Sequence, residues 1–158
     1  MKPLQILKQL DYENKAARYP NFPKNAIPVR SYSDRTANGL TKCIIDFVNF
    51  KGGQAERINT MGRMIDNTKT VSNVLGQSYR IGSKKWIKGT GTKGSADISA
   101  TIKGRSVKIE VKIGKDRQSD DQKNYEHQIT RAGGIYYIAK DFDSFFHWYN
   151  ETFGDLGL

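Results

Sequence analysis

Residues 97–113 alternate between apolar and polar side chains around a glycine. Val107, Ile109, Val111 and Ile113 take every second place against Lys108, Glu110 and Lys112, and Ile98, Ala100 and Ile102 do the same against Asp97, Ser99 and Thr101. A period of two marks β-strands with one apolar face. Lys103-Gly104 between the two runs has the form of a two-residue hairpin loop. Such a loop sets Ile102 opposite Arg105 and, counting back, Asp97 opposite Glu110. A three-residue loop would set Asp97 against Val111 and break the alternation of faces, so the even loop is the expectation. Glu110 and Lys112 then leave the same face of one strand.

Two carboxylates facing each other across a ladder sit with Cβ atoms roughly 5 Å apart and repel. A divalent cation removes that cost, because Mg²⁺ binds one or two carboxylates and keeps several waters for chemistry. Lys112 brings an ammonium to the same small volume. Two acids, a lysine and an apolar sheet point to metal-assisted phosphodiester hydrolysis. The plainer alternative is a half-solvated hairpin whose outer face carries mixed charge.

Charge favours an anionic partner. The chain carries 26 Lys and Arg against 16 Asp and Glu in 158 residues, a net +10, and nucleic acid is the usual partner of such a balance. Between Asn67 and Ala96 there is no acid, while Lys69, Arg80, Lys84, Lys85, Lys88 and Lys93 all occur there. This basic approach runs into Asp97 as a phosphate-guiding surface would. Arg57, Lys84, Lys85, Lys93, Lys115 and Arg117 are the candidate phosphate contacts. The single cysteine, Cys43, excludes a disulfide within the monomer and fits a reducing compartment. It falls on the apolar side of a helix, as a core filler. One Cys and two His are too few for zinc-finger or HNH-type metal sites. No apolar run approaches the ~20 residues of a membrane span and the start of the chain lacks a signal-peptide profile. The expected location is the cytoplasm, that of the host cell if the gene belongs to a phage, with no membrane partner.

All four prolines lie in the first 28 residues. Residues 1–36 read as a helix from Pro3 to about Ala17 and an extended arm, which could wrap the domain, pair with a second subunit or track DNA. Residues 37–158 read as the main domain. A helix is predicted over Asn38–Lys51, with Leu40, Cys43, Ile44, Phe47 and Val48 on one face and Gly52-Gly53 ending it. A strand follows over Gln54–Thr60. Met61–Gln77 has no clear period, and Tyr79–Ile87 reads as a strand or an ordered loop. Ser119-Asp120-Asp121-Gln122 opens a helix to about Arg131, with Ser119 and Gln122 forming a capping box. Tyr125 follows on the same helical face and is a candidate to line the site. Gly133-Gly134 leads into a strand over Ile135–Ala139, and a last helix from about Asp141 carries Phe142, Phe145, Phe146 and Tyr149, whose spacing makes them core. The order argues an α/β domain with a mixed sheet flanked by helices.

Gly94-Ser95-Ala96-Asp97, Glu110-Val111-Lys112 and Ser119-x-x-Gln122 resemble the motifs of the PD-(D/E)XK nuclease superfamily, and within it the virus-type replication-repair nuclease (VRR-NUC) branch in its phage-like single-domain form. The resemblance runs from about Asn38 to Tyr149. It implies a restriction-endonuclease-like core and a Mg²⁺ or Mn²⁺ cofactor held by Asp97, Glu110 and the main-chain carbonyl of Val111. Lys112 would act on the attacking water, and Gln122 would be a further catalytic contact. Ala96 stands where many relatives have Pro. Asn38 stands where many have a helix-borne Glu, and it can bind through its carbonyl but adds no negative charge. The implied activity is an endonuclease on branched or structured DNA in phage-type replication, recombination or repair. A homodimer would supply two active sites for such a substrate. The rival readings are a nucleic-acid-binding protein that keeps the fold without hydrolysis, and a restriction or defence endonuclease.

Overall fold

In chain order the elements are α1 (Pro3–Arg18), a 3₁₀ turn (Lys24–Ala26), α2 (Ala37–Phe50), β1 (Gln54–Arg57), β2 (Arg63–Asp66), β3 (Lys69–Ser72), β4 (Ser78–Ile81), β5 (Lys84–Ile87), β6 (Ile98–Ile102), β7 (Arg105–Val111), α3 (Asp120–Arg131), β8 (Ile135–Ala139) and α4 (Phe142–Phe153). This is a computed structural model, and it describes residues 1–59, 62–89 and 91–154. Two compact units are present: Met1–Ile58 with Gly94–Leu158, and Asn59–Lys93.

The first unit is built on a four-stranded sheet in the order β1-β6-β7-β8. β1, β6 and β7 run antiparallel and β8 joins β7 in parallel, so the sheet is mixed. Lys103 and Gly104 take φ of 47° and 76°. Positive values at both central residues are what a tight two-residue hairpin turn requires. The register has Ile102 opposite Arg105 and Ile98 opposite Ile109, so the even-loop expectation holds, while the ladder ends at Ile98 and Asp97 lies in a bend just before β6.

Ile98, Ala100, Ile102, Val107, Ile109 and Val111 fill one face of the sheet and are buried. Their core continues into α2 through Leu40, Ile44, Phe47 and Val48, into α4 through Phe142, Phe145 and Tyr149, and into α1 through Leu7. Phe47 is its centre, meeting Phe142, Phe145 and Tyr149 edge-on at centroid distances of 5.7, 6.1 and 5.0 Å. Edge-to-face pairs of this kind add to the area they bury. The α4 aromatics are thus core, and Cys43 is fully buried beside them. α3 lies on the other face, that of Lys108, Glu110 and Lys112, where Gln122 reaches Glu110 and Tyr125 meets Tyr136 edge-on at 6.3 Å.

The proline-bearing N-terminal arm wraps its own domain. Asp11, 1% exposed, accepts from Lys15 Nζ at 2.7 Å and from the Arg30 main-chain N–H at 2.8 Å. Arg30 and the Tyr32 hydroxyl both donate to Asp46 on α2. Asp34 accepts the Phe142 N–H and so caps α4 from 108 residues away. Three acids thereby fasten residues 28–36 along the helical layer, and burial of a charge with such partners is tolerated where an unpaired one would not be.

The second unit is a long hairpin. β3 pairs with β4 and β2 with β5, and the register runs unbroken from Ser72 opposite Ser78 back to Arg63 opposite Ile87. The ladder is interrupted at Thr68 and Gly82, where Gly82 has φ +93° and a Cβ would lie 2.2 Å from the Asn67 carbonyl oxygen. The expected segment Tyr79–Ile87 is therefore two strands broken by this glycine, and 61–77, which shows no period, supplies β2 and β3. The first strand after α2 ends at Arg57, short of the expected Thr60, which lies outside the described residues along with Met61.

Candidate functional site

Four side chains converge at the end of the central strands. Asp97 Oδ2 accepts the Val111 main-chain N–H at 2.9 Å. This bond takes one oxygen of Asp97 and pins the carboxylate against β7 at the level of Glu110. Glu110 is 2% exposed, and its Oε1 accepts from Lys112 Nζ at 3.0 Å and from Gln122 Nε2 at 2.5 Å. Lys112, 8% exposed, also reaches Asp116 at 3.5 Å.

Gln122 fills two roles with one amide. Its Oε1 accepts the Ser119 N–H at 2.9 Å while its own N–H donates to Ser119 Oγ at 3.3 Å, which completes the expected capping box. With the amide oxygen so committed, the NH₂ group is turned toward Glu110. The cap that starts α3 therefore also aims a donor at Glu110.

Buried polar atoms without partners gather here. Among the described residues these are Ser95 Oγ and Glu110 Oε2, while the Tyr136 hydroxyl, buried as well, is within reach of Gln118. Ser95 precedes Asp97 by two residues, and Tyr136 pairs with Lys108 on the Glu110 face of the sheet. Orphaned buried groups are rare and mark a place where a ligand, ion or water belongs. Burial pushes the Glu110 carboxyl above its ordinary value of 4.5, the Asp97 charge adds to this, and the bond from Lys112 only partly opposes it. Burial works against the Lys112 ammonium, but Glu110 and Asp116 outweigh it and hold it protonated above the ordinary 10.5. Burial, with the Glu110 charge, lifts the Tyr136 phenol to about 12.

A divalent cation fits this donor set on one observation, the buried Glu110 Oε2 that no protein group satisfies, together with the second oxygen of Asp97. Hard oxygens of this kind suit Mg²⁺ or Mn²⁺. The protein offers two carboxylates only, since no group of three or more His, Cys, Asp and Glu with metal-binding geometry occurs among the described residues. Asn38 is the second residue of α2, exposed, and takes no part in the bonds that join Asp97, Glu110, Lys112 and Gln122.

The cationic candidates divide. Lys115 and Arg117 are exposed on the segment that joins β7 to α3, and Arg117 lines a cavity of about 310 Å³ with Lys112, Asp116, Gln118, Lys123, Ile138 and Lys140. Four cations and one acid line it, with Lys112 held by Glu110 and Asp116 and Lys123 by Asp120 at 3.2 Å. Lys123 and Lys140 are additions that the sequence alone did not single out, because a lysine on a helix or after a strand is ordinary. Tyr136 was missed as well, since Ile135–Ala139 shows no charged alternation to give it a face. Arg57 ends β1, exposed, at the level of Ile98. Lys84, Lys85 and Lys93 belong to the second unit, where Lys84 pairs with Asp66 at 3.1 Å. Tyr125 is half-buried on the inner side of α3.

The fold and these side chains define a mixed α/β protein with two carboxylates, a lysine and a glutamine held together at one end of its sheet. Compared with known proteins, the chain matches no family model and no curated protein. No helix among the described residues is long and apolar enough to cross a membrane.

Proposed function

We propose that the protein is a divalent-metal-dependent nuclease with a restriction-endonuclease-like core, hydrolysing phosphodiester bonds in DNA. The observation that carries this reading is Glu110, a buried carboxylate with one oxygen bound by Lys112 and Gln122 and the other unsatisfied, level with Asp97. Asp97, Glu110 and the Val111 carbonyl would hold Mg²⁺ or Mn²⁺, which when bound supplies an acidified water and a Lewis acid for the phosphate. Lys112, kept protonated by Glu110 and Asp116, donates rather than accepts. Its part is to orient the attacking oxygen and to balance charge as it builds on the phosphate. Gln122 fixes Glu110 so that the carboxylate does not swing toward Lys112 alone. The cavity with Arg117, Lys123 and Lys140 offers positive charge to the neighbouring phosphates.

The substrate proposed is branched or otherwise structured DNA, cut by a homodimer with one site per strand. A second reading, a nucleic-acid-binding protein without hydrolysis, draws on the exposed Asn38 and on the count of only two carboxylates.

Plasmid and four-way-junction DNA incubated with Mg²⁺ or Mn²⁺ separate the two. The expected result is cleavage that EDTA stops. Glu110→Gln and Lys112→Ala should each lower the rate about 100-fold or more, on the scale of losing one oriented electrostatic group, with DNA affinity changed less than about threefold. Binding without cleavage in both metals selects the second reading, and a variant that cuts at the wild-type rate refutes the assigned roles.

A further inference from the structure

We infer that the hairpin Arg63–Ile87 is a duplex-DNA-binding arm, a basic two-stranded ribbon that lies in the major groove. This rests on nucleic acid being the partner, as proposed above, and not on hydrolysis.

The second unit has no interior. None of its described residues is buried, and it holds seven of the eleven large apolar side chains that stand exposed among the described residues. Val74 and Leu75 at the tip are 103% and 80% exposed, and Trp86 is 61% exposed. Apolar surface gathered on so small an element is a mark of a binding surface. The charge says for what. Asn59–Lys93 carries seven Lys and Arg against one acid. That acid, Asp66, is spent locally on Lys84 at 3.1 Å and on the Thr68 N–H at 3.0 Å.

A second copy of this chain is the wrong occupant. Outside Asn59–Lys93 nineteen Lys and Arg face fifteen Asp and Glu, so the rest of the molecule is itself basic and would repel the arm. Duplex DNA has the opposite charge and the right shape, since its major groove admits a two-stranded ribbon. Ten residues per strand extend roughly 30 Å, close to the ~34 Å of one duplex turn.

The two faces of the ribbon differ. In the outer ladder Thr70 and Arg80 share one face with Ser72 and Ser78, whose hydroxyls lie 3.0 Å apart, while Lys69, Val71, Tyr79 and Ile81 share the other. In the inner ladder Lys85 and Ile65 leave one face, and Met64 and Trp86 the other. Each face thus pairs cations for phosphates with hydroxyl or apolar groups for base edges, where the thymine methyl is the apolar target.

The test uses full-length protein in EDTA, with fluorescence anisotropy of a 30-bp DNA duplex, its RNA counterpart and anionic lipid vesicles over a range of salt. The triple variant Lys69→Glu, Arg80→Glu, Lys85→Glu should bind DNA about tenfold more weakly or worse, and its affinity should fall with salt along a slope shallower by about three. Val74→Ser with Leu75→Ser should weaken DNA binding several-fold with the slope unchanged, and the RNA duplex, whose major groove is too narrow for a ribbon, should bind less tightly than DNA. Wild-type affinity and slope in both variants, or RNA bound as well as DNA, or vesicles bound in place of DNA, overturns the proposal. Cleavage in Mg²⁺ is read on the same preparations. Arm-dependent binding with intact plasmid keeps the arm and removes the nuclease, while cleavage with arm-independent binding does the reverse.

Discussion

Glu110 is buried, ionisable and only half satisfied, which couples its proton to whatever occupies the site. Its folded pKa lies above the ordinary 4.5 because burial dominates. For a carboxyl shifted upward, the stabilising contribution is present below the unfolded pKa and is lost as pH rises through the folded one. The ion-free protein is therefore strained at Glu110 at neutral pH, and a cation at Oε2 relieves that strain. Proton and cation compete for the same oxygens. Mn²⁺ titrated calorimetrically between about pH 4.5 and pH 8 should bind more tightly as pH rises, by up to tenfold per unit, and level off above the folded pKa of Glu110. Affinity that is flat across this range would remove Glu110 from the ion's ligands. At this scale the sequence was informative where a residue sits in a pattern: the alternation put Glu110 and Lys112 on one face of β7, and Ser119-x-x-Gln122 announced the cap. Ser95 was not legible, because its meaning lies in having no partner, which only packing reveals.

Elements bring these residues together, and Gly94 passes close to the first turn of α3. Gly94 has φ +75°, and a Cβ there would stand 2.4 Å from the Asp121 main-chain carbon and oxygen. The obstacle is backbone in the first turn of α3, one residue from Gln122, so no side chain can move aside. Gly94→Ala adds a left-handed conformation, about 1–2 kcal/mol, to an overpacking cost of similar size. A loss of about 3 kcal/mol is expected in urea unfolding. Because the helix start shifts, the Gln122 contact with Glu110 should loosen and any metal-dependent activity should fall well below that of an exposed Gly104→Ala control, where nothing lies within 4 Å of the added Cβ. If both variants behave alike, the close approach of this loop to α3 is not what places Gln122. Helices with a wide apolar face, such as α2 and α4, were readable to within a residue or two. β2 to β5 were not, since strands of four residues solvated on both faces have no apolar period to display.

Across the whole chain, burial is divided unevenly between the two units. Among the described residues the first owns every buried one, including Leu7 of α1, so the helix and arm before residue 37 share the core of the main domain. The sequence drew its boundary at residue 36 because the prolines lie before it and the first clear apolar helix starts after it, and proline density reports local backbone restriction rather than what a segment packs on. The second unit has main-chain pairing and little else. A two-stranded hairpin without a covered face is marginal by itself, and segments with few buried contacts open at low free-energy cost. Hydrogen–deuterium exchange should therefore show the amides of β2 to β5 exchanging within seconds to minutes while those of β6 and β7 are protected for hours or longer. Adding duplex DNA in EDTA should slow exchange in β2 to β5, and this is the signature of an element that gains its missing face from a partner. Protection of these strands equal to that of β6 in protein alone would mean that the ribbon is already covered. The basic arm would then be a structural part of the molecule instead of its reach toward a nucleic acid.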